Sequence, residues 1–542
     1  MKLTGFLFAA ALLGSCTQPA AEENYTRHVD PKIGTGGHGH VFVGANVPFG
    51  LVQVGPTSIP QTWDWCSGYH ASDSTVIGFS HTHLSGTGIG DLFDVTVMPV
   101  TGDVTYARGE EADPASGLWS YADRTQEIAR PGYYSVPLTR YGIRAELTAT
   151  ARVGLHRYTF PASEKAAVVF DLENGGCWDK ATETHLAKEG DRTVTGWRHS
   201  TGWAKDQRVY FAAEFSKPFE KFETIGDNYA RASFRTTDGE QVSLKVALSP
   251  VSVEGARENL AAELPGWDFE ETAKAADKAW NDELSKVKIE TADETARRIF
   301  YTALYHTMIA PSLFCDVNGD YYGSDHAIHR NADFTNYTTF SLWDTYRAAM
   351  PLMTVLHPEK MADIVQTMLT ISDEQGRLPV WHLWGNETDC MVGNPGIVAV
   401  ADAIVKGIGG FDREKAFEAI RKTAMNPDRG NGLRMEYGYI PCEMFNEAVA
   451  YDMEYALADG AAARAAETLG KAEDAKYFEE RSHSYRNYFD PATRFMRGRD
   501  SRKGWRTPFN AFASTHRADD YCEGNAWQYT WLAPHDVKGL EG

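Results

Sequence analysis

The chain has 542 residues and a formal net charge of −21, with 74 acidic against 53 basic side chains. This balance argues against a nucleic-acid partner, because phosphates are bound by clustered Lys and Arg side chains. The length leaves room for about three or four domains, a number that large sandwiches and barrels reduce. None of the 7 Cys residues belongs to a Cys-x-x-Cys pair, so a thiolate zinc site is not expected.

The first 16 residues combine a basic residue with a short apolar run that ends in Leu13-Gly14-Ser15-Cys16. The run is too short to span a bilayer as a helix and is typical of an export signal. Its last four residues match a bacterial lipobox. We therefore predict a lipoprotein signal over 1–16, acylation of Cys16, a polar tether over 17–24, and a place in the periplasm or on the outer-membrane surface. An ordinary cleaved signal is the alternative.

Residues 25–268 have the pattern of a large antiparallel β-sandwich. Short runs rich in β-branched and aromatic residues recur between turn residues, and many of them alternate in polarity. The predicted strands include 94–100, 134–141, 143–150, 166–172, 209–215 and 242–248.

Residues 269–290 are predicted to form one connecting helix, since acidic residues come early and lysines late, which complements the helix dipole. From 291 to 542 the hydrophobic period is helical. One stripe at i, i+3, i+4, i+7 and i+8 is formed by Met361, Ile364, Val365, Met368 and Leu369. Further helices are predicted at 296–313, 339–356, 397–408, 414–423, 443–469, 475–488 and 524–533.

About eight helices of this kind suggest an (α/α)6 barrel, which needs twelve. We therefore expect a multidomain β + α protein, an N-terminal sandwich followed by a barrel that is incomplete at the C-terminus.

Glycine and histidine are concentrated in the predicted sandwich. His81 and His83 could hold a metal together with His38 or His40, although no third ligand is fixed by the sequence. The favoured interpretation is a set of glycine-rich loops beside aromatic residues that face a ligand.

Glu523 precedes Trp527, Tyr529 and Trp531 near the C-terminus. A carboxyl group in such apolar surroundings would stay protonated near neutral pH and could act as a general acid. The aromatic rings could stack on the apolar faces of a sugar. The alternative is a packed helix start with an incidental Glu.

Two other segments combine aromatic and acidic residues. Trp343 and Asp344 lie at a predicted helix start, where Asp344 could bind sugar hydroxyls; the alternatives are an N-terminal helix charge or a partner of Arg347. Trp381 and Glu387 lie in a loop, where they could bind a sugar; solvated loop charges are the alternative.

Together, the runs 29–40, 63–70, 78–90, 341–347, 385–388 and 523–528 resemble glycoside hydrolase family 92, a family of exported, exo-acting α-mannosidases. The resemblance implies a β-sandwich packed on an (α/α)6 barrel, an active site between them, dependence on Ca²⁺, and hydrolysis of mannose-containing glycans with inversion. The expected linkage is α-1,2.

Residue by residue, the resemblance implies that Glu523 is the general acid, that Asp344 binds mannose in the −1 subsite, and that Trp65 lies in a loop that reaches the pocket. The family's base is an Asp in a Gly-Asn-Asp-Asp-like run, and no such run follows Glu523. The base and most calcium ligands are therefore expected beyond residue 542, and the chain alone is expected to be poorly soluble and essentially inactive.

Two alternatives remain. One is a lipoprotein that binds glycans without cleaving them, anchored to the membrane by its N-terminal lipid; the other is a different toroidal glycosidase, for example one that acts on α-glucosides. Exposure of Glu523 to bulk solvent, away from Trp65 and Asp344, would favour the binding protein. The sequence does not predict an oligomeric state.

Overall fold

The computed structural model describes residues 23–542 apart from Gln61 and Pro114. The predicted signal, its lipobox and Cys16 lie outside these residues. Within the described part of the chain, no helix combines the length and the apolar character that crossing a bilayer requires.

An antiparallel β-sandwich fills the first half of the chain, as predicted. Its strands are β1 Gly55–Thr57, β2 Thr75–Val76, β3 Gly78–Ser80, β4 Thr96–Thr101, β5 Ser120–Tyr121, β6 Ile128–Arg130, β7 Tyr133–Leu138, β8 Ile143–Ala149, β9 Val153–Phe160, β10 Ser163–Asp171, β11 Lys180–Glu189, β12 Thr193–Thr201, β13 Gln207–Phe215, β14 Lys221–Ile225, β15 Tyr229–Thr236 and β16 Glu240–Ser249.

Fourteen of these strands form a six-stranded sheet in the order β1-β3-β4-β10-β15-β14 and an eight-stranded sheet in the order β11-β12-β13-β16-β9-β8-β7-β6, and β2 pairs with β5 in a separate two-stranded sheet. Apolar side chains from both sheets meet in one core. Phe170 of the first sheet stacks on Phe211 of the second, with ring centroids 6.0 Å apart. Burying a Phe side chain of this kind stabilises the fold by roughly 1.5–3 kcal/mol.

A helical domain follows the sandwich. Its helices and those that connect it are α1 Val253–Glu263, α2 Phe269–Leu284, α3 Glu294–His306, α4 Leu342–Thr345, α5 Ala349–Leu356, α6 Pro358–Gln375, α7 Pro395–Val405, α8 Arg413–Ala424, α9 Asn431–Tyr437, α10 Ala448–Thr468, α11 Ala472–Ser482, α12 Ala526–Tyr529 and α13 Val537–Glu541. Short strands between them are β17 Ser312–Leu313, β18 Tyr321–Tyr322, β19 Ile328–His329, β20 Tyr337–Thr338, β21 Phe340–Ser341, β22 Trp381–Leu383, β23 Asn386–Glu387, β24 Phe489–Asp490 and β25 Phe495–Met496.

The apolar stripe predicted for α6 is confirmed, since all five of its side chains are fully buried. α6 begins with Pro358, which suits the first helical turn because a first-turn amide has no partner to lose. It ends at Gly376, whose φ of 94° is the left-handed conformation that terminates many helices. The helix packs between α5, α7 and α8.

The connecting helix predicted over 269–290 is present as α2. Three other details differ from the prediction. Helix α1 lies within 25–268 and was not predicted, because only Gly255, Ala256 and Asn259 on it are buried, which leaves no apolar stripe. The helix predicted over 296–313 ends at His306, ahead of Pro311, which cannot donate a helical hydrogen bond. The segment 339–356 contains two short helices, α4 and α5, rather than one.

The hairpin β22–β23 joins the two domains. Asn386 exchanges two hydrogen bonds with the backbone of Asp206: its Oδ1 accepts from the amide at 2.9 Å, and its Nδ2 donates to the carbonyl at 3.0 Å. Trp381 packs edge-on against Trp203, with centroids 4.8 Å apart. Because Trp203 and Asp206 belong to the sandwich, the loop that follows β23 has a fixed position relative to both domains.

Arg198 links the two sandwich sheets and provides a stability test. It is fully buried and donates to Asp94 at 2.7 Å and to Asp179 at 2.6 Å. We predict that Arg198→Met lowers the free energy of unfolding by about 3–5 kcal/mol, because two carboxylates lose their buried cation. Urea denaturation followed by tryptophan fluorescence measures this loss.

The matched control is Arg235→Met, which likewise takes a cation from two carboxylates, Glu164 and Glu220, but at an arginine that is 67% exposed. We expect it to cost a small fraction of the Arg198 effect, since exposed ion pairs contribute little. Equal losses for the two variants would contradict the assignment of the buried network as a stabilising contact.

Candidate active site

A pocket of about 330 Å³ brings together three residues predicted from the sequence, Trp343, Asp344 and Glu523. Arg347, Glu454 and Tyr529 also line it. The residues come from α4, from α10 and from the turn before α12, so the pocket assembles segments that are distant in the chain. Acidic and aromatic side chains facing one cavity can hold a polyol, since carboxylates accept hydroxyl hydrogen bonds and ring faces stack on C–H surfaces.

Glu523 lies in a tightly held turn. Its φ of 47° is left-handed, which is uncommon for a residue other than glycine. The next turn begins α12, where the Asn525 side chain accepts from the Trp527 amide at 3.1 Å and Gln528 accepts from the Asn525 amide at 2.9 Å. The Tyr529 hydroxyl donates to the Cys522 carbonyl at 2.8 Å. Hydrogen bonds on both sides therefore fix the backbone that presents Glu523.

The apolar enclosure predicted around Glu523 does not form within the described residues. Glu523 is exposed, and so are Trp527 and Trp531, at 48% and 70%. These two tryptophans are four residues apart and share one side of the segment, whereas the buried Tyr529 lies on the other. Only Tyr529 of the three aromatic residues lines the pocket.

Asp344 is held by a local contact. It lies in the first turn of α4 and accepts a short hydrogen bond from the Ser341 hydroxyl. The alternative that Asp344 serves as the partner of Arg347 is not supported, since no ion pair between them occurs in the described part of the chain and the Arg347 guanidinium lies over the Tyr346 ring. The alternative of an N-terminal helix charge fits its place in the first turn of α4. Asp344 is exposed and so remains available to a ligand.

Glu454 lines the same pocket and was missed by the sequence analysis. It lies in α10 with two other buried acidic residues, Asp452 and Asp459, and both of those bind Arg434, at 2.7 and 2.6 Å. Glu454 instead accepts from the Tyr346 hydroxyl at 2.8 Å. Burial raises the pKa of Glu454 to about 7, and the Tyr346 hydrogen bond partly offsets that rise. Three acidic residues within the first, otherwise largely apolar part of this helix were the available signal.

The remaining predicted site residues lie elsewhere. Trp65 is half-buried, stacks on His70 with centroids 4.6 Å apart, and donates to Asp73 at 3.0 Å. Among the described side chains that line the pocket, Trp65 is not one. The sandwich tryptophan that reaches this region is Trp203, which lines an adjoining cavity of about 580 Å³ that shares Cys522 with the first.

Trp381 and Glu387 have structural roles that the sequence did not reveal. Trp381 is only 2% exposed, so its ring packs at the domain interface and offers no face for stacking on a sugar. Glu387 accepts from the amides of Val380, Trp381 and Asp389 at 2.8, 2.9 and 3.0 Å. Its carboxylate is therefore occupied in shaping the loop.

The proposed histidine metal site is wrong for the described residues. The Nε2 atoms of His81 and His156 are 2.9 Å apart, and His83 Nδ1 lies 2.7 Å from the Gln53 carbonyl. Burial lowers the pKa of His81 to about 3 and that of His83 to about 4. These imidazoles are neutral core residues, and no group of three ligands includes them in the described ranges.

The group with metal-ligand spacing within the described residues is Asp325, His329 and Glu374. His329 Nε2 lies 3.1 Å from Asp325 and 3.3 Å from Glu374, distances that direct contacts of the imidazole with the two carboxylates explain. Ca²⁺ prefers six to eight oxygen ligands, so this group with its imidazole does not fit calcium. We assign no calcium ligand among these residues.

The raised pKa of Glu454 should make the free energy of unfolding depend on pH. Its pKa is 4.5 in the unfolded chain and about 7 in the folded protein. The unfolded chain therefore loses its proton first, and the free energy of unfolding should fall as pH rises from 4.5 to 7, on the order of 3 kcal/mol for this group. Glu454→Gln removes that fall, which urea denaturation at a series of pH values can measure.

The control is Glu467→Gln on the same helix, where the carboxylate is 68% exposed. It should follow the wild-type pH curve. If Glu454→Gln also follows the wild-type curve, the carboxyl of Glu454 ionises at its ordinary pH and the assignment fails.

Comparisons with known proteins extend over nearly the whole chain. The model of the glycosyl hydrolase family 92 N-terminal domain matches residues 28–249, and that of the family 92 catalytic domain matches residues 255–541. A curated relative, an uncharacterised secreted glycosidase of Arthroderma benhamiae, is 26% identical over 98% of this chain and 74% of its own.

Solved structures from Bacteroides thetaiotaomicron are similar as well. A family GH92 α-mannosidase in complex with mannoimidazole has a TM-score of 0.92 and is 39% identical, and a family GH92 inverting mannosidase has a TM-score of 0.87 and is 29% identical. Each comparison covers 96% of this chain and 72% of the other. With both domain models matched in order and the fold shared at this level of identity, the chain belongs to glycoside hydrolase family 92.

Proposed function

We propose that this protein hydrolyses terminal α-linked mannose from glycans with inversion, with Glu523 as the general acid. The observation that carries the proposal is the single pocket lined by Trp343, Asp344 and Glu523. Support also comes from the solved relatives, which are an α-mannosidase and an inverting mannosidase. Export belongs to the proposal, since the curated relative is described as secreted.

The pocket residues divide the work of binding and proton transfer. Asp344, positioned by Ser341, can accept hydrogen bonds from sugar hydroxyls. Glu523 can donate its proton to the leaving oxygen, and its exposure allows reprotonation from water between turnovers. An inverting enzyme places its second carboxylate about 6.5–9.5 Å from the acid to activate water. We assign no described residue to that role.

Glu454 contributes a second titrating group to this pocket. Because its pKa is near 7, Glu454 can be protonated in the same pocket in which Asp344 accepts hydrogen bonds. A neutral Glu454 limits the electrostatic repulsion among Glu454, Asp344 and Glu523. We propose that this keeps the pocket receptive to a neutral sugar.

A glycan-binding protein without activity is the second candidate. The exposure of Glu523 favours it, as does the position of Trp65 away from the pocket-lining residues in the described part of the chain. Asp344 nevertheless lines the same pocket as Glu523, which is the arrangement expected of an enzyme. Both candidates bind the sugar, but only the enzyme hydrolyses it.

Glu523→Gln tests the acid. We predict that it lowers hydrolysis of a mannoside with a poor leaving group, such as α-mannobiose, by about 10²–10⁴-fold. An activated aryl α-mannoside should lose much less, since its leaving group hardly needs a proton. Mannoimidazole affinity, measured by calorimetry, should change only a few-fold, because binding does not require the transfer. Glu480→Gln, an exposed change on α11, is the matched control.

The outcomes separate the candidates. Undiminished mannobiose hydrolysis by Glu523→Gln would refute the acid assignment. Mannoimidazole binding that depends on Asp344, with no hydrolysis of any α-mannoside or α-glucoside either by these 542 residues or by the gene expressed to its natural stop, would establish the binding protein instead.

We further propose the calcium dependence that the family resemblance implies. Incubation with EGTA should remove most α-mannoside hydrolysis and weaken mannoimidazole binding, and Ca²⁺ but not Mg²⁺ should restore both. Magnesium is the control because its octahedral preference differs from that of calcium. Full activity and binding in EGTA would show that the protein works without the ion.

A further inference from the structure

Two cysteines of the sandwich domain, far apart in the chain, meet in the fold. Cys66 and Cys177 are free thiols that lie close enough for each to shift the pKa of the other, and the Cys177 thiol also lies 3.2 Å from the carbonyl of Thr62, four residues before Cys66. Cys390 and Cys522 also lie near each other, but burial raises the pKa of both, which disfavours their reactive thiolate forms. The pair Cys66 and Cys177 is the one with direct contact and an activated member.

Backbone contacts hold the two thiols in place. Cys66 closes the turn Trp63–Trp65, with its amide donating to the Trp63 carbonyl at 3.2 Å. On the other side, the amides flanking Cys177 donate to Leu92 and Gly90, each at 2.9 Å. The approach is so close that a Cβ on Gly90 would lie 2.6 Å from the Cys177 Cβ.

A further contact ties Cys177 to the segment that carries Cys66. Its thiol lies 3.2 Å from the Thr62 carbonyl. The backbone contacts of the two segments therefore place the cysteines next to one another.

The two thiols differ in reactivity. Cys66 has no exposed surface, and its pKa is raised, first by its hydrogen bond to Cys177 and then by burial. Cys177 is partly exposed, and its pKa is lowered by the hydrogen bond from Cys66 and by the Arg108 guanidinium. A lowered pKa with access to solvent is the environment of a nucleophilic thiolate.

We propose that Cys66 and Cys177 form a disulfide when the protein meets a disulfide oxidant, with Cys177 as the attacking thiol and Cys66 as the resolving thiol. The thiolate of Cys177 attacks one sulfur of the oxidant's disulfide and forms a mixed disulfide with it, while the other sulfur of the oxidant leaves as a thiolate and takes a proton. Cys66 then loses its proton and attacks the Cys177 sulfur, expelling the second oxidant thiolate. Two thiols are oxidised, and one disulfide of the oxidant is reduced to two thiols.

The bond would cross-link the turn Trp63–Trp65 to the loop between β10 and β11. Both tryptophans on that turn already donate from their indole nitrogens, Trp63 to the Gly88 carbonyl and Trp65 to Asp73, each at 3.0 Å. The disulfide therefore adds a covalent tie to a segment that is already ordered, so it can form with little backbone movement. The inference does not depend on the hydrolase activity.

Oxidised glutathione is a suitable probe of the full chain. The protein is reduced, desalted, incubated with oxidised glutathione, alkylated with iodoacetamide and digested without a reductant for mass spectrometry. We expect a cross-linked peptide that contains Cys66 and Cys177. In Cys66→Ser, glutathione should remain attached to Cys177 because the resolving thiol is gone. In Cys177→Ser, Cys66 should acquire little glutathione because it is buried.

Cys442→Ser is the control, since Cys442 is a buried cysteine with a raised pKa and no thiol partner among the described residues. It should form the same cross-link as the wild type. If the serine variants fold poorly, limited alkylation of the wild-type protein tests the proposal. In the reduced protein Cys177 should be the first cysteine labelled, and oxidation beforehand should prevent the labelling of Cys177. Absence of the cross-link in the wild type, or equal glutathione uptake by both serine variants, would overturn the proposal.

Discussion

The candidate active site depends on the way one hairpin of the helical domain is bound by the sandwich. Asn386 exchanges two backbone hydrogen bonds with Asp206, and Trp381 packs against Trp203. Glu387 accepts hydrogen bonds from three backbone amides and so fixes the turn that follows. Since a buried amide or carboxylate without partners is costly, each of these groups constrains the others.

From this hairpin a short series of contacts leads to the proposed acid. The loop continues to Met391, whose sulfur lies 3.7 Å from the Cys522 sulfur. Cys522 precedes Glu523 and lines both adjoining cavities. The position of Glu523 relative to the sandwich is therefore set by packing across the domain interface and by the hydrogen-bonded turn around it. This explains how a pocket lined by the helical domain, next to a cavity that the sandwich reaches through Trp203, can be assembled from exposed side chains on a rigid framework.

Helix α10 shows how the protein distributes buried charge. It carries three buried acidic residues, and Arg434 neutralises the two that lie away from the pocket. The third, Glu454, accepts from the Tyr346 hydroxyl and forms no ion pair among the described residues, and burial raises its pKa more than Tyr346 and Arg347 lower it. A carboxyl group left without a cation in a buried position costs stability, and such costs are accepted most often where a site needs them. The arrangement sets Glu454 apart as part of the pocket and leaves Asp452 and Asp459 as structural residues.

The sequence by itself determined the order and type of the domains and the most periodic elements. Alternation gave the main sandwich strands, and the stripe from Met361 to Leu369 gave α6, because patterns of period 2 and 3.6 follow directly from backbone geometry. It also singled out Trp343, Asp344 and Glu523, whose side chains do share one pocket. Local signals failed where the apolar pattern was weak, as in α1, or where a proline ended a helix early.

What only the tertiary structure decided is the use to which each side chain is put. Trp381 and Glu387 have the residue types of a sugar site, yet one is buried at the domain interface and the other binds three backbone amides. Glu454, Trp203 and the contact between Cys66 and Cys177 depend on neighbours far away in the chain. Burial and hydrogen-bond partners are properties of the folded arrangement, so residue type and spacing cannot supply them.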